Sequence, residues 1–349
     1  MKINRHYILI TVMLTLLPML MSCRQELCYN HFPTLEIGLQ WEREWERDYG
    51  MSHQSTWDAE YHGISYDGLK PGMPEWVNIV RYNADGSTDE RFIEPDGGSL
   101  TVSESAHPSF LLYNGDTEYI VLSDVVSLLS ARASATLRSR STLSNVMVRH
   151  PDARTTNPPD ILYSAFIENA PAVKNHETTL MNVKMQPLVY TYVIRYEFEH
   201  GLEHVSLARG ALGGMAESVY LRDGVTSDES IIILFDCDMK PYGCEAHVRS
   251  FGVPGFPDDY YGRSISQHSQ DRPYTLNLEV MLKNGTILEF DYDIADQLKN
   301  QPRGGVIKIS GIRIEDEEAK YTSGFDVDVS DWGDHEDIDL PVGVLEENE

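Results

Sequence analysis

Cys23 stands where an apolar N-terminal run ends, and it is the first cysteine along the chain. The run extends from Tyr7 to Met21 and follows two cations. It is shorter than the roughly 20 residues that span a bilayer, and it fits the 7–15 residues of a signal-peptide core. The sequence therefore predicts a secretory signal peptide over residues 1–22. A short membrane anchor that is kept in the mature chain is the alternative.

The tetrapeptide Leu20-Met21-Ser22-Cys23 resembles the lipobox of bacterial lipoproteins, although Met21 is bulkier than the usual residue there. The resemblance implies that the Cys23 thiol carries a diacylglycerol and that cleavage leaves Cys23 as the new N-terminus. Stable anchoring takes more than one acyl chain, at about 0.8 kcal/mol for each buried methylene. Arg24, in a position where Asp signals inner-membrane retention, implies an outer-membrane location.

The other cysteines have the spacing of a disulfide candidate and not that of a zinc site. Cys237 and Cys244 flank the turn-rich spacer Asp-Met-Lys-Pro-Tyr-Gly, and neither Cys-x4-Cys nor Cys-x6-Cys fits zinc. A secreted protein permits disulfides, so we predict that Cys237 pairs with Cys244. Cys28 stays unassigned.

An aromatic loop over residues 251–261 is the best candidate for ligand binding. Its Gly- and Pro-rich sequence carries Phe256, Tyr260 and Tyr261, whose rings could stack on sugars or anchor a protein partner. In the alternative interpretation the loop folds back and its rings cap a sandwich.

No motif predicts catalysis, a cofactor or a bound metal. The glycines of residues 210–214 lack dinucleotide-binding and P-loop spacing and predict a turn between strands. His200 and His204 flank Gly201 in a predicted turn, so we expect a solvated pair. The acidic C-terminal segment fails the EF-hand pattern, which leaves room only for a weak calcium site without assigned ligands; its acids are Asp326, Asp328, Asp331, Asp334, Glu336, Asp337 and Asp339.

The charge and length of the chain limit its class of function. The formal net charge is −27, and removal of residues 1–22 makes it −29. Such an acidic chain would repel phosphates, which excludes nucleic acid as a partner. The apolar content of 41% is enough for a packed core, and 327 mature residues suit two domains.

Strands are expected to position these groups, because apolar residues alternate with polar ones along several segments. Asn284-Gly285 lies between two such segments and is a strong hairpin signal. Residues 231–235 are continuously apolar, as in a strand buried on both faces. The alternating apolar residues are Leu35, Ile37, Leu39, Trp41; Tyr190, Tyr192, Ile194, Tyr196, Phe198; Tyr274, Leu276, Leu278, Val280, Leu282; Leu288, Phe290, Tyr292; and Phe325, Val327, Val329.

Two short helices are expected, over residues 42–47 and 294–300, and residues 123–154 are expected to form a helix or a long loop. We predict an all-β protein of two β-sandwiches. The expected units are a lipidated linker over residues 23–34, an N-terminal sandwich over residues 35–185 and a C-terminal sandwich with an acidic tail over residues 186–349.

The segments "YNADGS", "PDGGSLTV" and "LLYNGDTEYIVL" resemble a Bacteroides lipoprotein family of unassigned function. "PLVYTYVIRYEFEHGLEHV", "LARGALGGMAESVYL" and "DVDVSDWGDHEDIDLPV" are similar to fimbrial anchor and fimbrillin-like proteins. The resemblance implies two tandem transthyretin-like β-sandwiches and a non-catalytic subunit of a type V pilus. Such a subunit would bind pilin-like partners by β-strand addition, and we expect this chain to accept a strand without polymerising. A solitary surface lipoprotein that binds a glycan or a host ligand is the alternative.

Overall fold

The computed structural model describes residues 33–43, 58–62, 64–69, 72–102, 107–138, 154–173, 178–257, 274–298 and 301–320. Within these ranges the chain is almost entirely β-strand, which confirms the predicted all-β sandwich class. The transthyretin-like topology stays a prediction.

The strands, numbered along the chain, are β1 Thr34–Trp41, β2 Val77–Tyr82, β3 Thr88–Ile93, β4 Gly97–Thr101, β5 Ser109–Asn114, β6 Ile120–Ser123, β7 Arg132–Ala135, β8 Thr155–Thr156, β9 Tyr163–Ile167, β10 Thr178–Pro187, β11 Tyr190–His200, β12 Val205–Ala216, β13 Ser218–Tyr220, β14 Ser230–Asp236, β15 Asp238–Lys240, β16 Gly243–Ser250, β17 Thr275–Leu282, β18 Ile287–Asp293 and β19 Gly305–Arg313. The helical segments are α1 Ala59–His62, α2 Ala295–Leu298 and 3-10 turns at Tyr66–Leu69 and Leu202–His204.

The strands form four sheets. A seven-stranded sheet has the order β3-β2-β5-β9-β10-β1-β4, and a five-stranded sheet has the order β18-β17-β12-β14-β8. A four-stranded sheet has the order β15-β16-β11-β19, and a three-stranded sheet has the order β13-β7-β6. Most neighbouring strands are antiparallel; β1 with β10, β11 with β19 and β14 with β8 are parallel.

The alternating pattern of the sequence corresponds to the buried faces of the strands. Tyr190, Tyr192, Ile194 and Tyr196 on β11 are each at most 1% exposed. The hairpin predicted at Asn284-Gly285 joins β17 to β18 in register. Residues 231–235 form β14 and are buried throughout, as predicted for a strand covered on both faces.

The two halves of the chain share strands and a core. β7 pairs with β13, and β8 pairs with β14, so strands from before position 157 share two sheets with strands from after position 204. The largest apolar cluster accordingly includes Leu111 and Ala133 beside Ile194 and Leu278. The division predicted at residues 185 and 186 falls within β10. The two domains as separate folding units stay a prediction.

Two local predictions were wrong. Residues 210–214 lie inside β12 and do not form a turn. Glycine occurs at position 210 for a steric reason, because a Cβ there would lie 2.3 Å from the ring of Phe235. Residues 123–154 contain β7, which the Ser-rich sequence concealed.

The helix predictions met different outcomes. Ala295–Leu298 forms α2 within the helix expected over residues 294–300. For the other helix, expected over residues 42–47, the described residues Glu42 and Arg43 are not helical. In the described part of the chain, no helix is long and apolar enough to cross a bilayer.

Candidate functional site

A cleft opens between β3 and β4, the two ends of the seven-stranded sheet. The strands are joined by a tight turn, in which the Gly97 N–H donates to the Glu94 carbonyl at 2.9 Å. Only glycine fits at position 97, because φ is +125° and a Cβ would lie 2.0 Å from the Ile37 carbonyl oxygen. Beyond the turn β3 continues beside β2 and β4 continues beside β1. We call the space between their outer edges the β3–β4 cleft.

The backbone groups that face the cleft follow from the ladder pattern of antiparallel strands, in which alternate residues bond to opposite sides. The Asn83 N–H donates to the Ser87 carbonyl at 2.9 Å, and the Val102 N–H donates to the Pro33 carbonyl at 3.0 Å. Together with the registers of β2 with β3 and of β1 with β4, these two hydrogen bonds determine which residues turn their backbone groups away from the paired strand. Those that turn their N–H and C=O groups toward the cleft are Thr88, Glu90, Phe92, Ser99 and Thr101.

The cleft has an apolar floor and a charged rim. Its volume is ≈ 270 Å³, and Ile79, Leu100 and Phe110 lie at its base. Ile79 and Phe110 are almost completely buried. Ser99 and Thr101 add hydroxyl groups at the side of β4. An extended segment with alternating side chains would therefore place one row of side chains on apolar surface.

Two arginines share one carboxylate at the rim. Arg81 Nη2 lies 3.2 Å and Arg91 Nε lies 3.1 Å from the same oxygen of Asp89. Arg81 Nη1 also donates to the Thr101 carbonyl at 3.3 Å, and this contact spans the cleft. Arg81 Nε is buried and makes no hydrogen bond in the described structure. The rim thus has one excess positive charge and an unused buried donor, although the whole chain carries −27.

These features suit the addition of a β-strand from another chain. Unpaired N–H and C=O groups at a strand edge are a template for a further strand, and main-chain hydrogen bonds carry much of the affinity. A strand that enters the cleft would displace Arg81 from the Thr101 carbonyl and pair with β3 on one side and with β4 on the other. A carboxylate on that strand would reach the exposed guanidinium of Arg91.

The edge of β19 is closed by comparison. The Gln297 amide donates to the Lys308 carbonyl at 3.0 Å and accepts from the Lys308 N–H at 2.9 Å. The Gln301 amide donates to the Val306 carbonyl at 2.9 Å and accepts from the Val306 N–H at 2.5 Å. Two side-chain amides therefore occupy the backbone groups that a neighbouring strand would use. Native proteins protect exposed edges by such coverage.

Cys237 and Cys244 come together as two free thiols that contact each other. Cys237 lies just beyond β14, where its N–H donates to the Ala208 carbonyl, and Cys244 lies near the start of β16. The hydrogen bond with Cys244 and burial raise the pKa of the Cys237 thiol well above its usual value. Their predicted disulfide stays a prediction, although the structure places the two side chains next to each other.

Phe256, one of the three predicted ligand-binding residues, is 1% exposed. The Arg303 guanidinium lies 3.9 Å from the centre of its ring. In the described structure Phe256 therefore packs in the interior. Tyr260 and Tyr261 lie outside the described residues, and so does Cys23. Ligand binding by this loop stays a prediction.

His200 and His204 both approach Asp316. Their Nε2 atoms lie 3.5 Å and 3.2 Å from Asp316 Oδ1. The hydrogen bond from His204 lowers the pKa of Asp316. No group of three or more metal-ligating side chains exists among the described residues, and the acidic segment for which the sequence left a weak calcium site open falls beyond them.

Sequence reasoning did not single out the β3–β4 cleft. Its residues come from four strands, β2 to β5, and only the folded sheet places Arg81 of β2 beside the Thr101 carbonyl of β4. The available signals were Asp89 and Arg91 on the same face of one strand, and Gly97 in a turn. Neither signal shows that the ends of one sheet diverge.

One solved structure agrees with the fold, and a family model matches part of the chain. Residues 66–236 match the model of a domain of unknown function (DUF5119). No curated protein matches the chain in sequence. The crystal structure of a proposed adhesin from Bacteroides ovatus is 18% identical and has a TM-score of 0.55, covering 81% of this chain and 93% of that chain. The fimbrial anchor protein Mfa2 from Porphyromonas gingivalis is 8% identical with a TM-score of 0.43, covering 79% of this chain and 90% of its own. Residues 66–236 thus match a domain family of unassigned function, in agreement with the sequence resemblance, within a chain that shares the fold of the Bacteroides ovatus protein.

Proposed function

We propose that this chain is a non-catalytic, lipid-anchored subunit of a pilus-like adhesive assembly at the outer membrane. In this proposal it accepts a β-strand of another subunit in the β3–β4 cleft. The observation that carries the proposal is the pair of outward-facing strand edges above an apolar floor. An adhesin and a fimbrial anchor among the structural relatives are consistent with this role.

The position of β1 supports an anchoring role. β1 pairs with β4 over residues 34–38 and with β10 along its whole length. A strand bound to β4 would therefore be one strand away from the segment that leads back to Cys23. A pulling force on the bound strand would be transmitted through β4 and β1 to the proposed lipid. The backbone hydrogen bonds between these strands would carry that force in shear.

The charge of the cleft indicates what kind of strand it accepts. Arg81 and Arg91 outnumber Asp89, so a strand with at least one carboxylate and alternating apolar residues is favoured. The strongly acidic surface elsewhere would repel an acidic partner at other positions. The chain would accept such a strand without polymerising by itself.

Ser99→Pro tests the proposal, because the Ser99 N–H faces the cleft and takes no part in the pairing of β4 with β1. Proline is tolerated in an edge strand at such a position, but it cannot donate to an added strand. Ser99→Ala is the matched control. We expect pilin-like subunits to copurify with the wild-type chain and with Ser99→Ala after mild crosslinking of outer membranes, and to be lost with Ser99→Pro.

The purified soluble chain should be a monomer by light scattering. Equal copurification of subunits with Ser99→Pro, at an unchanged melting temperature, would contradict strand acceptance in this cleft. Polymerisation of the purified chain alone would contradict the role of an acceptor.

A further inference from the structure

A second cleft lies away from the β3–β4 cleft, where loops of the seven-stranded sheet meet the end of β16. We call it the Arg249 cleft. Its volume is ≈ 210 Å³, and the loops that form it precede β2, follow β5 and precede β9. Its polar lining includes Asn114, Asp116, Asp160 and Arg249.

Arg249 is a half-buried cation without a partner among the residues that the structure describes. It makes no hydrogen bond or ion pair with the described residues, although Asp116 and Asp160 line the same cleft. An arginine that is confined beside two carboxylates and bonds to neither has its donors available for a ligand. Guanidinium donors have a fixed planar geometry that suits paired oxygen atoms.

The two carboxylates are held in place by the backbone. Asp116 accepts the Glu75 N–H at 2.9 Å and the Asn114 side-chain amide at 3.0 Å. Asp160 Oδ2 accepts the N–H groups of residues 118 and 119 at 2.6 Å and 2.5 Å. These contacts fix both side chains before any ligand arrives and leave lone pairs free for further donors. Such preorganisation lowers the entropy lost on binding.

Apolar surface completes the cleft. Pro74 and Ile161 line its wall, and Met73 at its mouth is 57% exposed. Trp76 is 38% exposed and packs beside Gly115, where a Cβ would lie 2.9 Å from its indole nitrogen. Tryptophan offers a large, rigid surface and an N–H donor, so it suits a ligand that has both an apolar face and hydroxyl groups.

We propose that the Arg249 cleft binds one ring of a neutral saccharide. Sugar hydroxyls both donate and accept, so they can bond to carboxylates and to a guanidinium at the same time. The cleft carries two carboxylates and one cation, and the chain is strongly acidic, which disfavours uronic or other acidic sugars. Pockets for drug-sized ligands measure about 300–1,000 Å³, so the smaller Arg249 cleft fits a single ring with the next ring on Trp76.

This proposal goes beyond the assembly role, because no residue of the β3–β4 cleft takes part. The test is affinity electrophoresis of the mature chain carrying Cys23→Ser, in native gels with yeast mannan, dextran or laminarin. Polygalacturonate is the acidic comparator. We expect at least one neutral polymer to retard the chain, and Trp76→Ala and Arg249→Gln each to weaken the retardation about tenfold or more.

Phe92→Ala and Arg91→Gln are the matched controls, because both residues are exposed and lie at the β3–β4 cleft. They should bind as the wild type does, and unchanged melting temperatures should show that all four variants fold. The proposal is overturned if no neutral polymer retards the chain, if the polygalacturonate gel retards it more strongly, or if Trp76→Ala and Arg249→Gln bind like the wild type.

Discussion

Gln301→Ala should open the protected edge of β19 and destabilise the protein. The Gln301 amide makes three hydrogen bonds to the backbone, two with Val306 and one with the Gln297 carbonyl. A typical intramolecular hydrogen bond contributes about 0.5–1.5 kcal/mol net. Water replaces part of the loss because these groups are only partly buried. We therefore expect the free energy of unfolding to fall by about 2–3 kcal/mol.

Scanning calorimetry of the mature chain carrying Cys23→Ser measures this loss. One kcal/mol shifts the melting temperature by about 2–4 °C in a domain of 150–250 residues, so Gln301→Ala should lower it by about 4–12 °C. Gln297→Ala removes two hydrogen bonds with Lys308 and should have a smaller effect. The double variant, Gln297→Ala with Gln301→Ala, should also self-associate in light scattering, because an exposed strand edge pairs with other chains.

Gln186→Ala is the matched control, because the Gln186 side chain is half-buried on β10 and makes no hydrogen bond in the described structure. It should melt within about 2 °C of the parent, as surface substitutions usually change stability by less than 0.5 kcal/mol. A double variant of Gln297 and Gln301 that melts like this control and stays monomeric would refute edge protection by the two amides.

Further predictions concern the anchor, the thiols and one carboxylate. Cys23→Ala should move the protein from the membrane fraction to the soluble fraction, and mass spectrometry of the wild type should find lipid on Cys23. Thiol titration of the exported, denatured protein should find Cys237 and Cys244 oxidised. Reduction of the disulfide that closes this short loop should lower the free energy of unfolding by about 2–3 kcal/mol. His204→Ala should raise the pKa of Asp316 in NMR titrations toward its ordinary value, because the hydrogen bond from His204 lowers it. A carboxyl group whose pKa is lowered in the folded state stabilises the fold at pH values above its ordinary pKa. This stabilisation is lost as the pH falls through the folded-state pKa. The stability difference between His204→Ala and the wild type should therefore vanish in acid.

Period-two alternation predicted the strands well, because a strand with one buried face leaves a strong signal. Tyr192 and Ile194 on β11 are fully buried, as their spacing requires. The same reasoning failed at Gly210, where a glycine marks the close approach of the Phe235 ring and not a turn. Local sequence does not reveal which ring will lie above a strand.

The candidate sites could not be predicted, because they depend on pairings between distant residues. Arg81 of β2 meets the Thr101 carbonyl of β4 only because the sheet curves, and Arg249 reaches its cleft from another sheet. The amides that close the β19 edge come from α2 and the segment after it. Sequence patterns show which faces are buried, whereas the open and closed edges of sheets follow from tertiary structure.

A photocrosslinking experiment tests strand acceptance most directly. A benzophenone amino acid at Ser99 would face the β3–β4 cleft, and the same group at Leu180, which is 62% exposed on β10, is the control. On irradiation of intact outer membranes, we predict that position 99 crosslinks to an extended segment of another subunit, with alternating apolar residues and a carboxylate. Position 180 should give no such product. The absence of any crosslink from position 99, or equal capture from both positions, would contradict the account.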